Sequence, residues 1–90
     1  MTWWVYLLRC GDGSFYCGIA KDIEARLAQH REGQGARYTR GRGPLEVVYR
    51  EACASRSEAL RRELQIKRMR AEGKRELSLR LDENPRHSDG

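Results

Sequence analysis

Glu63 is the residue of this chain that packing alone explains least. On a helical wheel it lies between Ala59, Leu60, Ile66 and Lys67. A carboxylate inside an apolar stripe is costly unless it is paired or bound to a metal. The simpler interpretation is an ion pair with Lys67 at i+4, or a stripe edge that faces water, and residue spacing alone favours it by about two to one. The other interpretation is a metal ligand.

Four more side chains could take part in chemistry beside such a carboxylate. Tyr6 and Tyr16 fall on two candidate strands, where tyrosines usually pack in the core or across strands. Arg26 and His30 lie four residues apart on a candidate helix, along a side that borders its apolar stripe. Taken singly, each is more typical of a helix surface than of catalysis. Only the combination can indicate a reaction.

The chain alternates between strand and helix signals that would position these residues. Asp12-Gly13 is typical of a hairpin, Asp22 of a helix N-cap, and Ser55-x-x-Glu58 of a capping box that opens the next helix, from Ser55 or Ser57. Gly73 fits the C′ position of that helix. The pattern predicts a central strand over 3–10, a return strand over 15–19 and a helix over 22–31. A third strand over 45–53, a second helix over 55–72 and a short final helix around 77–81 follow.

Length, charge and cysteine usage limit the function classes. Ninety residues make one domain, and the net charge of +5 favours a polyanionic partner, most often nucleic acid. No apolar run approaches the ~20 residues of a membrane span, and the first residues are not typical of a signal peptide. Three cysteines without CxxC spacing argue against a disulfide scaffold and a zinc finger. The expected compartment is a reducing cytoplasm, with no membrane partner.

Taken in order, the motifs resemble the GIY-YIG nuclease superfamily, and in particular its small stand-alone bacterial group (UPF0213-like). The two signatures fall on 4–6 and 16–18, where Trp4, Val5 and Cys17 replace the Gly, Ile and Ile of the family pattern. These three replacements are apolar, so we expect them to be mild. Further resemblance lies in four segments, 20–30, 35–40, 57–67 and Asn84-Pro85. Each signature is weak alone, whereas the ordered set is specific.

The resemblance implies an α+β fold, a small mainly antiparallel three-stranded sheet flanked by helices, over residues 1–85, with 86–90 as a tail. It implies that the protein is a DNA endonuclease that uses one Mg²⁺ or Mn²⁺ ion, in DNA repair or processing, with RNA as an alternative substrate. The implied catalytic residues are Tyr6, Tyr16, Arg26, His30, Tyr38 and Glu63, of which Glu63 binds the metal. The implied nucleic-acid contacts are Gly18, Arg37, Arg40, Arg42, Lys67 and Asn84.

The roles that this resemblance suggests make physical sense. Tyr6 would be the general base, although a free tyrosine with a pKa of about 10 needs nearby positive charge to act at neutral pH. Tyr16 and Tyr38 would orient water or phosphate, and Arg26 would donate to a non-bridging oxygen as charge builds. His30 would either relay the proton or hold the phosphate.

Two other functions compete with the enzyme. One is a non-catalytic nucleic-acid-binding module of the same fold, and the other is a basic protein–protein adaptor. The presence of both Tyr6 and Glu63 favours the enzyme. Because ninety residues leave no room for a separate DNA-targeting domain, substrate specificity is expected from nucleic-acid shape or from a partner protein.

Overall fold

The computed structural model of the protein describes residues 2–83. The elements, in chain order, are strands and helices β1 (Trp3–Arg9), β2 (Phe15–Ala20), α1 (Ile23–Arg31), the 3₁₀ turn η1 (Arg37–Thr39), β3 (Glu46–Cys53), α2 (Arg56–Lys67) and α3 (Ala71–Glu83). The predicted strands and first helix agree with these bounds to within about a residue. The expected contact at Asn84 and the expected tail over 86–90 lie outside the described residues.

The three strands form one antiparallel sheet in the order β2-β1-β3. β1 is central, as its apolar residues on both faces predicted. Val5 and Leu7 belong to the core beneath α2 and α3, whereas Tyr6 and Leu8 belong to the core beneath α1. The predicted α+β class with a small antiparallel sheet is therefore confirmed.

β3 departs from the strict alternation that its sequence predicted. The pairing register with β1 shifts between Leu7 and Leu8, so that Leu7 lies opposite Tyr49 and Leu8 opposite Val47. Val48 is the extra residue at this irregularity. As a result, the consecutive residues Val48 and Tyr49 both pack on the α2 core, whereas Val47 packs on the α1 core.

Both predicted helix caps are formed. The Asp22 carboxylate accepts a hydrogen bond from the Ala25 N–H at 3.1 Å. The Ser55 hydroxyl accepts one from the Glu58 N–H at 3.1 Å, and the Glu58 carboxylate in turn accepts one from the Ala54 N–H at 3.3 Å. The reciprocal pair fixes where α2 begins and therefore which residues of α2 face the sheet.

The predicted single helix over 55–72 is wrong: α2 ends at Lys67 and α3 starts at Ala71. Gly73 accordingly lies inside α3 rather than at a helix C′ position. The break places Met69 against the α2 core and turns α3 so that Leu77 enters the same core. In an uninterrupted helix Leu77 would lie about 16 Å beyond Ile66 and could not reach it.

β2 is an edge strand, and this determines where a site can form. α1 covers one face of the sheet and α2 covers the other, and both helices contact β2. Side chains from both helices can therefore approach the same stretch of β2 around its open edge.

Candidate active site

Tyr6 lies across the backbone of Gly18. The two residues are directly opposite in the β1–β2 register, and Tyr6 is only 1 % exposed. A Cβ atom at position 18 would come within 2.6 Å of the Tyr6 hydroxyl oxygen and 2.8 Å of its ring carbon. A residue with a side chain at 18 would displace the phenol, so glycine is required for Tyr6 to occupy this position.

His30 is buried rather than on the helix surface, where a lone histidine is more often found. It extends the apolar stripe of Ile23 and Leu27 at i+7, on the face of α1 that packs on the sheet. Its Nε2 atom lies 2.9 Å from the Tyr6 oxygen. The apolar periodicity was the sequence signal that could have indicated this burial, because 23, 27 and 30 follow helical spacing.

The loop after α1 determines which nitrogen of His30 carries the proton. The Ala36 N–H donates to Nδ1 at 3.2 Å, and the Thr39 hydroxyl lies 3.1 Å from the same atom. Because Nδ1 accepts from a backbone N–H, the proton of the neutral ring is on Nε2. Nε2–H therefore donates to the Tyr6 oxygen, and the Tyr6 O–H remains available to another acceptor.

The sequence did not single out the residues that enclose His30. Gly35 lies against the imidazole so closely that any side chain there would collide with it. Thr39 is buried and also donates to the carbonyl of Ala36. Their only sequence signal was membership of the 35–40 segment of the family resemblance, since no spacing rule links a loop threonine to a helix histidine.

Two aromatic rings, those of Tyr16 and Tyr38, continue from His30 toward solvent. Tyr16 packs edge-on against His30 with ring centroids 5.3 Å apart, and stacks on Tyr38 at 6.0 Å. Tyr38 is 41 % exposed, and the Arg42 guanidinium lies 4.4 Å from its ring. Arg42 also pairs with the Asp12 carboxylate at 2.5 Å. Arg42, predicted as a nucleic-acid contact, is thus held within the protein.

Burial and Arg26 act in opposite directions on the two tyrosines. Burial raises the pKa of Tyr6 well above its usual range, and the half-buried Arg26 guanidinium lowers it in part. Burial also raises the pKa of Tyr16, with Lys67 and then Arg26 opposing it. Burial, reinforced by Arg26, lowers the pKa of His30. The resting site thus holds two neutral phenols and a neutral imidazole at neutral pH.

Glu63 approaches the site from the α2 side of β2. Its carboxylate lies 3.5 Å from the Lys67 ammonium, the ion pair that the i+4 spacing favoured. Glu63 is only 16 % exposed, whereas Lys67 is 50 % exposed. Burial and then the Glu63 charge raise the pKa of Cys17, to about 12, and the same charge acts on Tyr16. Glu63 therefore faces the stretch of β2 that Arg26 approaches from the other face.

The remaining predicted residues lie at the margin of this site. Arg37 and Arg40 are exposed in the loop that encloses His30. The Arg26 guanidinium donates a hydrogen bond to the side-chain oxygen of Gln29 at 2.7 Å. Among the side chains described, those of residues 2–79, no three His, Cys, Asp or Glu residues converge as a metal cluster, so Glu63 is a single carboxylate rather than part of a cage.

Comparisons with known proteins identify the family of the chain. The GIY-YIG catalytic domain family matches residues 2–76. A UPF0213 protein of Nitratidesulfovibrio vulgaris is 54 % identical over 67 residues, which are 74 % of this chain and 61 % of that protein. A UPF0213 protein of Staphylococcus epidermidis is 52 % identical over 63 residues, which are 70 % of this chain and 77 % of that protein. The chain thus spans less than two thirds of the Nitratidesulfovibrio relative.

Two solution NMR structures have the same fold. A UPF0213 protein from Bacillus halodurans is 41 % identical with a TM-score of 0.56, over 94 % of this chain and 89 % of that one. A protein from E. faecalis is 37 % identical with a TM-score of 0.58, over 82 % and 79 % of the two chains. The chain therefore belongs to the GIY-YIG nuclease superfamily, in the UPF0213-like group that its ordered motifs predicted.

Proposed function

We propose that this protein is an endonuclease that hydrolyses phosphodiester bonds in DNA with the help of one divalent metal ion. The observation that carries the proposal is the convergence on β2 of Tyr6, Tyr16, Arg26 and Glu63, from two strands and from helices on opposite faces of the sheet. A structural ion pair alone would explain Glu63 and Lys67. It would not explain a glycine that accommodates a buried phenol hydrogen-bonded to a buried histidine.

In this proposal Tyr6 takes the proton of the attacking water. Because burial raises the pKa of Tyr6, the phenol first gives up its O–H proton to solvent water; as the phenolate it then takes the proton of the attacking water, and the leaving oxygen is protonated from solvent. The donated Nε2–H of His30 and the charge of Arg26 both stabilise the phenolate that results. His30 then serves as a hydrogen-bond donor that holds Tyr6, instead of the proton relay that the sequence left open.

Arg26 and the outer aromatic residues bind the reacting phosphate. Arg26 is close enough to both tyrosines to change their pKa values, so its guanidinium can donate to a non-bridging oxygen placed between them. Tyr16 is fixed by its contacts with His30 and Tyr38, and its hydroxyl orients water or phosphate. These donors are in place before substrate binds, which is the condition for transition-state stabilisation.

Glu63 fits a single hard cation such as Mg²⁺ or Mn²⁺. Mg²⁺ keeps most of its waters and often binds through one or two carboxylates, so one half-buried carboxylate facing the site suffices. A bound ion of this kind supplies Lewis-acid stabilisation of the phosphate and of the leaving oxygen. Lys67 neutralises the carboxylate in the absence of the ion and is free to contact a phosphate when the ion replaces it.

The net charge of +5 and the exposed arginines Arg37 and Arg40 support DNA as the substrate, because such groups contact phosphates without reading sequence. No helix among the described residues is long and apolar enough to cross a membrane. We propose a cytoplasmic role in DNA repair or processing, with nucleic-acid shape or a protein partner supplying specificity.

The test compares the wild-type protein with Glu63→Gln on labelled single-stranded, duplex and branched DNA. Each reaction is run with Mg²⁺, with Mn²⁺ and with EDTA. We expect cleavage that requires the metal and falls by at least about a thousandfold in Glu63→Gln, with thermal unfolding unchanged. Glu76→Gln, an exposed carboxylate on α3, is the matched control and should cleave like wild type.

The other outcomes separate the alternatives. Salt-dependent DNA binding without cleavage, unaffected by Glu63→Gln, would indicate the binding module. Neither binding nor cleavage would indicate the protein–protein adaptor. Loss of folding in Glu63→Gln would make Glu63 a structural partner of Lys67.

A further inference from the structure

Trp3 carries two cations on its ring at some distance from the candidate active site. The Lys21 ammonium lies 5.4 Å from the ring centroid and the Arg56 guanidinium 5.9 Å from it. Trp3 itself is half-buried at the beginning of β1, beside the end of β2 and the first turn of α2. Two cations from different elements therefore meet at one aromatic ring.

Neither cation is neutralised by a described side chain. Across residues 2–79, neither Lys21 nor Arg56 has a carboxylate within ion-pair distance, although Arg9, Arg42, Arg50, Arg62 and Lys67 all do. Both side chains are exposed. Two uncompensated positive charges beside a partly exposed ring form a local site for an anion that carries an aromatic group.

The cluster of Trp3, Lys21 and Arg56 lies in line with Glu63, the candidate metal ligand, along both α2 and β2. Arg56 and Glu63 are seven residues apart on α2, which is about 10 Å along the helix. Cys17, whose pKa the Glu63 charge raises, is four residues from Lys21, which is about 13 Å along an extended strand. Such spans correspond to about three base steps of a DNA strand at ~3.4 Å each.

The surface between the two ends suits a nucleic-acid strand. Leu60 lies one turn from Arg56 on α2 and is 37 % exposed, and Ile19 lies on β2 toward the α2 face and is partly exposed. Apolar side chains between two cationic ends allow bases to pack while phosphates are bound at each end.

We propose that Trp3, Lys21 and Arg56 form a second DNA-binding subsite, about three nucleotides from the bond that is cleaved. Lys21 and Arg56 bind a phosphate of the substrate strand, and the Trp3 ring packs against the adjoining base. This subsite rests on the proposed function, because it places DNA along the edge of β2. It extends that function by giving the strand a direction, since the subsite lies on one side of the active site only.

The two tryptophans of the sequence make a direct optical test possible. Trp4→Phe leaves Trp3 as the only tryptophan, and Trp3→Phe leaves Trp4, which packs on the opposite face of β1, as the matched control. Each variant is titrated with a single-stranded DNA of about twelve nucleotides in EDTA, so that no cleavage occurs. Tryptophan emission reports the contact, and anisotropy of a labelled copy of the same DNA reports binding.

We expect the emission of Trp3 to change in parallel with binding, while that of Trp4 stays constant. Binding without a change in Trp3 emission, or with equal changes at both tryptophans, would overturn the subsite. The absence of any DNA binding would overturn it as well.

A charge-matched pair of variants tests the cations. Lys21→Gln with Arg56→Gln removes two positive charges from the subsite, and Arg9→Gln with Arg61→Gln removes two exposed charges elsewhere. We expect the first pair to weaken DNA binding about tenfold and to lower its salt dependence by about one phosphate contact. The second pair should weaken DNA binding by less than about threefold. Equal losses of DNA affinity in the two pairs would show that Lys21 and Arg56 act only through the overall positive charge of the protein, and would overturn the proposal. Thermal unfolding of both variants verifies that each is folded.

Cleavage separates failure of this proposal from failure of the proposed function. Emission changes at Trp3 without any metal-dependent cleavage would support the subsite and refute the nuclease. Cleavage that requires Glu63 but is as fast in the Lys21/Arg56 variant as in wild type, on DNA shortened from either end, would support the nuclease and refute the subsite. If both hold, shortening the DNA on one side only should reduce wild-type cleavage to the level of that variant.

Discussion

On the α1 side of β2, Tyr6 and His30 are buried, share a hydrogen bond and are held by the loop that carries Thr39. We call these residues, with Tyr16, the tyrosine side of the site. On the α2 side, Glu63 has Lys67 as its one ion-pair partner among the described residues, and half of Lys67 is exposed. We call this pair the carboxylate side.

The two sides differ in how complete they are without a ligand. Each buried side-chain nitrogen or oxygen of the described residues has at least one hydrogen-bond partner, so the tyrosine side is held together by the protein itself and keeps the Tyr6 O–H for a further acceptor. On the carboxylate side, the Glu63 oxygens are paired with a flexible lysine side chain, which a cation can replace and which can then bind a phosphate. The difference indicates that proton handling is built into the core, whereas metal and substrate complete the site from solvent. Changes on the tyrosine side should therefore affect stability and activity together, and changes on the carboxylate side activity alone.

Among changes on the tyrosine side, the largest effect is expected from Gly18→Ala. The new methyl group would lie 2.6 Å from the Tyr6 oxygen, so the phenol must move away from His30. We expect a loss of about 1–3 kcal/mol in the free energy of unfolding. We also expect a loss of about a hundredfold or more in cleavage, because a shift of about 1 Å at a reacting group has that cost. Urea unfolding and single-turnover cleavage measure the two losses.

Gly43→Ala is the control for that substitution. A Cβ at position 43 has no atom within 4 Å, so this loop variant should keep both stability and cleavage near wild type. If Gly18→Ala cleaves as fast as Gly43→Ala, the position of Tyr6 is not what limits the reaction.

His30→Gln tests whether the tyrosine side contributes to stability through a neutral imidazole. Burial lowers the pKa of His30 below its usual 6.5 in the folded protein, so the unfolded chain binds the proton first as the pH falls. Stability should therefore decrease as the pH drops through about 6.5 and below, by at most ~1.4 kcal/mol per pH unit. His30→Gln should lower stability at neutral pH and remove this part of the slope. Urea midpoints between about pH 5 and 8 measure both effects.

Two features of the chain make that titration interpretable. The pKa of Asp12 is lowered to about 2, chiefly by its hydrogen bonds to Ser14, so Asp12 stays ionised across the range. His87→Gln, which removes the other histidine of the sequence, is the parallel control. A slope that persists unchanged in His30→Gln and disappears in His87→Gln would show that His30 is not the group responsible.

The sequence predicted those parts of the fold that local rules determine. Apolar residues on both faces made β1 central, Asp12-Gly13 placed the hairpin, and Asp22 and Ser55 placed the helix starts. Each of these signals lies within a few residues of the feature that it determines. The family resemblance then predicted which residues to look for, and the structure places Tyr6, Tyr16, Arg26, His30, Tyr38 and Glu63 around the same stretch of β2.

Features that depend on distant contacts were not predicted. α2 stops at Lys67 because Met69 and Leu77 must both reach one core, which no helix propensity encodes. The burial of His30 against Tyr6 and Thr39 was not predicted, because these partners come from a strand and a loop elsewhere in the chain. Tertiary contacts override local propensity in both cases.

Lys67→Gln is expected to have the smallest effect and is the most direct probe of the carboxylate side. Lys67 competes with a metal ion for Glu63, and it also adds positive charge near the substrate. A partly exposed ion pair contributes only about 0–1 kcal/mol, so the stability of the fold should change little. The metal concentration that gives half-maximal cleavage should fall by no more than about fivefold, since that is the largest factor such a pair can supply.

DNA binding should weaken in the same variant, with the salt dependence lowered by about one phosphate contact. The two effects oppose each other in the overall rate but separate when metal and DNA are varied independently. Arg61→Gln, an exposed cation on the outer face of α2, should leave the metal dependence unchanged. If Lys67→Gln instead raises the metal requirement, Lys67 orients the carboxylate for the ion rather than competing with it, and the carboxylate side is as preorganised as the tyrosine side.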